Sequence, residues 1–440
     1  MERNDQRIHK ENKEIKIYMK RIVFLCHFSN AFVREKLPLK NLCSRNKVFK
    51  ALRHPSFQYH DFAIWVTDYI EEFKKHKDIE FHIVSPHKGL IENIYEFNNE
   101  GVFYHFYKCD GSLLYDTFNA KFKIEERNNY KENRGRISQV VESISPDLII
   151  LCGAENPYYS LGVIDVKSKP VYVILQTFLN DSLRIRYNVS SEYRRRVEQL
   201  IFSHAKYFST TSKSAIKYIQ SVNDKAVILP SGFPTHLPRV GECKKDYDFM
   251  FFARSVAKNK GIEDYIDAIA IVSKRMPEVR CGVIGKCPVE YMSLLNDKIK
   301  TYGIEKNIEF LGFYDSVDDA YQNVARGRVL VLPSITAALN STVREGMLMG
   351  FPIICYAHPA IERVNTEEQC VITAVKSDIN DLAGKMLDAI NAPDMISSIG
   401  NNALRYAEQN FSNKTIVNRL LDNVSKIIEL ERNETKNYIC

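Results

Sequence analysis

Two cations follow a strongly apolar run in the second half of the chain. In FMFFARSVAKNKG (Phe249–Gly261), Arg254 and Lys260 stand six residues apart on what reads as a single loop. A guanidinium fork and an ammonium point charge placed this way can converge on a diphosphate. A second group lies in VLVLPSITAALNSTVREGMLMGFP, where Asn340, Ser341, Thr342 and Val343 open a short helix that ends at Gly350 and Pro352. Unpaired N–H groups and the positive dipole end make such a helix start an anion site. Glu345, one turn in, can accept hydrogen bonds from a vicinal diol. The same Thr342-x-x-Glu345 spacing fits a capping box, in which the carboxylate serves only its own helix. In the first half, Glu155 in LCGAENPYY follows another apolar run. A carboxylate there can orient an incoming hydroxyl, or it is a plain loop acid. His27 and His54 have no partner at a recognisable spacing and read as structural or solvated. No Asp-x-Asp pair occurs, and Asp315, Asp318 and Asp319 read as a helix N-terminus. No metal is expected.

These residues need elements to hold them. Short β-branched and aromatic runs recur at Arg21–Phe28, Ile79–Val84, Val102–Tyr107, Asp147–Cys152, Val171–Gln176, Lys206–Ser209 and Ala226–Leu229. A second set falls at Tyr247–Ala253, Val279–Ile284, Ile308–Leu311, Arg328–Leu332, Pro352–Tyr356 and Cys370–Thr373. Several, such as DLIILC and PIICY, are apolar throughout, the pattern of parallel strands covered on both faces. Strand and helix alternating in this way predict an α/β class with two doubly wound, Rossmann-like sheets. The Pro- and Gly-containing segment Ser231–Asp246 separates the sets, which predicts domains at 1–238 and 239–414. Open α/β sheets bind ligands beyond the carboxyl ends of their strands. That rule draws attention to His27–Asn30, Gly153–Asn156, Gln176–Thr177, Arg254–Lys260, Gly312–Tyr314 and Pro333–Thr342.

At 440 residues the chain is long enough for two domains and a core without staples. Ordinary proportions of hydrophobic and charged residues, 45% and 26%, exclude wholesale disorder. The ten cysteines include no Cys-x-x-Cys pair, so they read as reduced core thiols rather than a zinc or disulfide framework. The first twenty residues are charged throughout, which does not fit a secretory signal. The longest apolar runs are strand-length and do not reach a membrane span. The net charge of +7 divides into +10 for residues 1–240 and −3 for residues 241–440. Basic residues mix with acids and form no stripe interleaved with aromatics, so no nucleic acid is expected.

In order, the Arg254…Lys260-Gly261 loop, IEFLGFYDSVDDAY, VLVLPS, Arg344-Glu345-Gly346-Met347-x-x-Gly350-x-Pro352 and YAEQNFSNKTIVNRLL resemble glycosyltransferase family 4, the retaining nucleotide-sugar transferases of the GT-B fold. The first half resembles the family in strand rhythm and in AKYFSTTSKSA followed by AVILPSGFP. The resemblance implies two Rossmann-like domains facing each other across a cleft, with a last helix at about 415–440 crossing back to the first domain. It implies that Arg254 and Lys260 hold the diphosphate of a nucleotide-sugar donor and Glu345 its ribose. Gly312, Phe313 and Tyr314 would border the base, and the helix start Asn340–Val343 would offer N–H groups to the phosphates. The acceptor, a saccharide or lipid-linked saccharide, would approach Glu155, Gln176 and Asn30. Retention would follow a path in which a donor phosphate oxygen takes the acceptor's proton, with no cofactor. Ala337 stands where the family carries the first of two spaced Glu residues, Ala338-Leu339-Asn340 replaces its Gly-Phe-Gly, and Gln176 and Thr177 lie near its first-domain His. The expected setting is cytoplasmic polysaccharide or glycoconjugate synthesis, with peripheral contact to the inner membrane face through the basic half. Two alternatives stay open: another enzyme on this fold, such as an epimerase or phosphorylase, and a degenerate nucleotide-sugar binder acting as a complex subunit.

Overall fold

Apolar runs bounded by turn residues become strands buried on both faces, because crossover helices cover both sides of a parallel sheet. The computed structural model describes residues 19–41, 46, 59–63, 65–111, 113–166, 169–186, 190–235, 237, 240–335 and 339–439. Within them, the first sheet holds β1 (Lys20–Leu25), β2 (Ile79–His87), β3 (Ile94–Asn99), β4 (Val102–Lys108), β5 (Leu148–Cys152), β6 (Val171–Ile174), β7 (Tyr207–Ser209) and β8 (Val227–Ile228). Its order is β3-β4-β2-β1-β5-β6-β7-β8. The second holds β9 (Tyr247–Ser255), β10 (Cys281–Lys286), β11 (Ile308–Gly312), β12 (Gly327–Leu332), β13 (Ile353–Tyr356) and β14 (Ile372–Ala374). It runs β11-β10-β9-β12-β13-β14.

Eight helices matter below. α1 (Ala31–Lys36) follows β1 and α2 (Trp65–Phe73) precedes β2. α3 (Ser182–Arg186) and α4 (Glu192–His204) lie between β6 and β7. α5 (Ile262–Arg275) joins β9 to β10, and α6 (Ser341–Leu348) joins β12 to β13. α7 (Pro393–Phe411) and α8 (Asn413–Ile439) come last.

Every strand expected from the sequence is present within a few residues of its predicted bounds. The exception is an addition: β3 pairs antiparallel with β4 on an otherwise parallel sheet. Its turn places Glu100 and Gly101 at φ 52° and 82°, the left-handed geometry of a tight hairpin. IYEFNN is half-exposed and polar, so it carries no apolar run to betray it. Arg254 differs too, lying within β9 rather than just after it.

Strand order reverses direction between β1 and β5 in one sheet, and between β9 and β12 in the other. Adjacent crossovers leave on opposite faces at such switch points, opening a crevice at the carboxyl ends. Asn30 follows β1, Glu155 follows β5, Lys260 follows β9, and Asn340–Val343 follow β12. Topology thus gathers the sequence candidates at two crevices. Eight free cysteines are seen among the described residues, five of them buried. No helix there is long and apolar enough to cross a membrane.

Helix α8 belongs to the core of the first sheet, although the second sheet precedes it in the chain. Ile416, Val417, Leu420, Val424, Ile427 and Ile428 form one apolar stripe at helical spacing, packed with Ile22, Phe24, Tyr69 and Tyr172. Polar contacts flank the stripe: Lys20 Nζ donates to Ser425 Oγ at 2.9 Å, and the Tyr207 hydroxyl to Glu431 Oε1 at 2.6 Å. Leu420→Ala therefore destabilises the unit built on the first sheet by about 2–5 kcal/mol. Exposed Lys426→Ala changes it by no more than about 0.5 kcal/mol. Denaturant titration followed by tyrosine and tryptophan fluorescence measures both. Equal midpoints for the two variants would refute the placement of α8.

Candidate active site at the two switch points

On the second sheet the β9 loop and the β12 loop are locked together. Gly261 ends the turn that carries Lys260 with φ 81°, and a Cβ there would lie 1.9 Å from the Pro333 carbonyl oxygen. Only glycine allows that approach. The Asn259 carbonyl accepts from Ile335 N at 3.1 Å and from Ser334 Oγ at 3.4 Å. Lys260 is thereby fixed beside the segment leading into α6. Arg254 is exposed and Lys260 half-buried. Burial, and secondarily the charge of Arg184, lower the Lys260 ammonium below its ordinary value.

Helix α6 is capped by Asn340, whose Oδ1 accepts from Val343 N at 3.0 Å. The capping-box alternative is not what the structure shows: Thr342 lies inside the helix, and Glu345 Oε2 instead accepts from the Tyr321 hydroxyl. Tyr321 is buried on the helix Val317–Val324, so the carboxylate is aimed by a side chain of another element. Next to it, Arg344 turns towards the segment between the sheets, where Nη1 donates to the Phe233 carbonyl at 2.9 Å. Gly312 ends β11 with φ 81°, Phe313 is 43% exposed, and Tyr314 packs against the core. β11 lies two strands from β9, at the sheet edge. Ala337 and Ala338 lie outside the described residues, as does His54.

On the first sheet, Glu155 is 3% exposed. Its Oε1 accepts from Asn156 Nδ2 at 3.3 Å and faces Arg194 Nη2 at 3.8 Å, while Oε2 has no hydrogen-bond partner. Burial pushes the carboxyl up to about 7. A Cβ on Gly153 would lie 3.1 Å from Glu155 Oε2 and 3.3 Å from Gln176 Oε1, so both side chains converge on a bare glycine. Gln176 also donates to Cys152 Sγ at 3.6 Å. Asn30 has structural work at both ends: Oδ1 caps α1 through Val33 N at 2.9 Å, and Nδ2 donates to Thr67 Oγ1 at 3.4 Å. His27 contacts the Tyr158 hydroxyl at 3.0 Å and stacks near Phe62; burial lowers it to about 4 and keeps it neutral. Among the described residues, no group of three or more His, Cys, Asp or Glu side chains is arranged to hold a metal ion.

The sequence singles out Arg254, Lys260, Glu345 and Glu155; Tyr321, Arg194 and Arg344 emerge only from their contacts in the fold. Tyr321 sits in DDAYQNV as an apparently ordinary core aromatic, and only the fold brings it to Glu345. The Glu155 environment has a thermodynamic signature. A carboxyl raised in the folded state from about 4.5 to about 7 costs stability as pH rises through that window. Glu155→Gln removes the ionisation, so the variant matches wild type near pH 4.5 and exceeds it at pH 8 by on the order of 2–3 kcal/mol. Chemical denaturation at both pH values measures this, and a pH-independent difference would contradict the burial of an unpaired Oε2.

Comparison with known proteins agrees with the fold. Residues 236–406 match the family described as Glycosyl transferases group 1. An uncharacterized glycosyltransferase of Methanocaldococcus jannaschii is 24% identical over 364 residues, covering 80% of this chain and 92% of that protein. Sucrose-phosphate synthase from Thermosynechococcus elongatus superposes with a TM-score of 0.65 at 14% identity, covering 93% of this chain and all of the other. Anabaena HepE, solved in complex with UDP, superposes with a TM-score of 0.61 at 16% identity over 93% of this chain and all of its own. The two facing sheets are those of the GT-B fold, and the second carries a glycosyl transferases group 1 domain.

Proposed function

We propose that this protein is a retaining glycosyltransferase that moves a sugar from a nucleoside-diphosphate sugar to a saccharide or lipid-linked acceptor. The observation that carries the reading is the locked pair of loops at the β9/β12 switch point. They fix Lys260 against the Pro333–Ile335 segment that follows β12, with Arg254 at the end of β9 and Glu345 aimed by Tyr321. Arg254 and Lys260 stabilise the departing diphosphate, and the N–H groups of Ser341–Val343 add the dipole end of the helix. Fixed positive charge aimed at the developing anion neutralises it without a metal. Glu345 accepts from the ribose hydroxyls. Gly312, Phe313 and Tyr314 border the base.

The acceptor enters from the first sheet, where Glu155 and Gln176 converge beside Gly153. A carboxyl near neutrality can accept from or donate to the acceptor hydroxyl. The acceptor's proton passes to a donor phosphate oxygen, which keeps the sugar's configuration. Closure of the domains excludes water and limits hydrolysis. Asn30, committed as a helix cap, contributes by holding α1 rather than by touching substrate. The basic first half suits work at an anionic membrane face in the cytoplasm, in polysaccharide or glycoconjugate synthesis. Ala337 favours one second reading, a nucleotide-sugar binder without turnover.

UDP is the first nucleotide to test, because the HepE structure contains it. At 100 times its dissociation constant it stabilises the unit that binds it by about 2.7 kcal/mol. In a thermal-shift panel of UDP, GDP and ADP with EDTA, one nucleotide raises the melting temperature by several degrees, and Arg254→Ala abolishes the rise. No shift with any nucleotide would overturn the donor site; a shift without sugar transfer to any acceptor would establish the second reading. Glu345→Ala weakens UDP binding by about 1–3 kcal/mol and leaves inorganic pyrophosphate unaffected, as isothermal titration measures. An equal loss for both would place Glu345 at the phosphates instead.

A further inference from the structure

The edge of the first sheet carries a line of four titratable side chains, away from both crevices. On the face that also holds Val23 and Val84, Glu80 Oε1 contacts His82 Nε2 at 2.9 Å. His82 Nδ1 meets His105 Nε2 at 3.0 Å, and His105 Nδ1 meets Glu96 Oε1 at 2.6 Å. The line starts on β2, crosses β4 and ends on β3. Both imidazoles are buried, at 5% and 8% exposure, whereas the Glu96 side chain is 52% exposed.

Three hydrogen bonds need three protons. An ionised carboxylate only accepts, and a neutral imidazole has a single N–H. Two neutral rings between two carboxylates therefore bring two protons to three contacts. The contact left without one would set lone pair against lone pair at no more than 3.0 Å. The complete line thus holds one proton more than two neutral rings carry. Burial, the largest influence on His82, lowers its imidazolium and keeps that ring neutral. His82 then donates from Nε2 to Glu80 and accepts at Nδ1, while His105 donates from both nitrogens. Few other charges face the pair. Arg21 of β1 binds Glu80 at 3.2 Å, and Phe103 stacks on the His82 ring at 4.8 Å. The helix over this face, Lys131–Ile144, turns Ile137, Val140, Val141 and Ile144 inward, and its Arg136 pairs with Glu132.

We propose that His105 is a proton-operated latch, which as a cation between His82 and Glu96 ties the edge strand β3 to the sheet. When its second proton leaves for solvent, His105 keeps one N–H. Burial decides where that hydrogen goes: it stays on Nε2, because losing the contact to His82 would leave two buried nitrogens unpaired. Glu96, at the exposed end, is released. The latch is engaged in acid and open in base, across the range in which imidazoles titrate. The strand it holds is paired on one side only, with β4. The turn from β2 into β3 also binds the chain leaving α1, since Gly89 O accepts from Lys40 N at 2.8 Å and Ile91 N donates to Pro38 O at 3.0 Å. Release of β3 therefore loosens a support of the segment that follows the first crevice's leading strand.

The test is nuclear magnetic resonance of the full chain labelled with nitrogen-15 in histidine and in the backbone, for wild type, Glu96→Gln and Glu92→Gln. At about pH 5.5 His105 is protonated on both nitrogens and His82 is the neutral Nε2–H tautomer; at about pH 8.5 both are neutral Nε2–H tautomers. Glu96→Gln, an exposed change, moves the His105 signals and so assigns them; His82→Gln assigns the other ring. At about pH 5.5 the β3 amides of wild type exchange about threefold more slowly than those of Glu96→Gln, the scale of one partly exposed ion pair. At about pH 8.5 the two exchange alike, and exposed Glu92→Gln matches wild type at both. Two neutral rings at the lower pH would overturn the proton count, and a charged His82 would overturn its placement on His105. An exchange difference of equal size at both pH values would overturn the latch.

Discussion

The molecule depends on a double crossing between its two sheets. The chain leaves the first sheet through Ser231–Thr235 and comes back at Asn413, the first residue of α8. The two crossings are tied by one hydrogen bond, Thr235 N to Asn413 Oδ1 at 3.0 Å. Gly232 makes the outward path possible. It sits at φ 91° against Ile416, where a Cβ would lie 2.6 Å from the Ile416 Cδ1 atom. The Tyr69 hydroxyl donates to the Gly232 carbonyl at 3.3 Å, and Arg344 takes the next carbonyl, that of Phe233. Three separate parts of the fold, namely α2, α6 and α8, therefore hold the same short stretch of backbone. Two adjacent crossings confine relative motion to rotation about that stretch and leave little freedom for the domains to separate. Carboxyl ends that start out facing each other stay facing each other.

This geometry explains why a buried guanidinium is tolerated at Arg344. Its Nε has no hydrogen-bond partner, and burial lowers its pKa from the ordinary guanidinium value while it stays a cation. An incompletely paired buried cation opposes stability. Its position, adjacent in sequence to Glu345 and bonded to the crossing segment, couples the donor helix to the pivot. A displacement of α6 would reach Phe233 through this bond without passing through either core. The Tyr321 contact works in the complementary direction, holding Glu345 to the second core while Arg344 faces the hinge. Adjacent residues on one helix are thereby divided between ligand and pivot.

Much of this was legible in the sequence, for identifiable reasons. Runs such as DLIILC and VLVLP are apolar throughout because both faces of a parallel strand are covered, so strands and switch-point loops could be placed together. Arg254, Lys260 and Glu345 were legible because they follow such runs. What stayed hidden involves partners chosen by topology. Tyr321 is 24 residues from Glu345 and Glu198 is 18 from Asn180, and no spacing rule links either pair. Thr342-x-x-Glu345 matched a capping box in letters, but Asn340, two residues earlier, takes the cap and releases Glu345 for Tyr321. Asn30 illustrates the reverse error. A polar residue just after a strand reads as a site residue, yet here it caps the following helix.

The two crevices treat charge in opposite ways, and this asymmetry gives the fold a direction. On the first sheet, burial keeps His27 neutral and moves Glu155 towards neutrality, with the Arg194 guanidinium 3.8 Å from Glu155 as the fixed charge beside them. On the second sheet, Arg254 is exposed and Lys260 is half-buried on the turn locked against Pro333, so that side presents cationic side chains. Glu155 and Gln176, which converge beside Gly153, offer uncharged hydrogen-bonding capacity instead. The contrast between the crevices is therefore set by which sheet spends its burial on neutralising side chains, and the glycines at positions 153 and 261 let side chains and backbone approach closely in each.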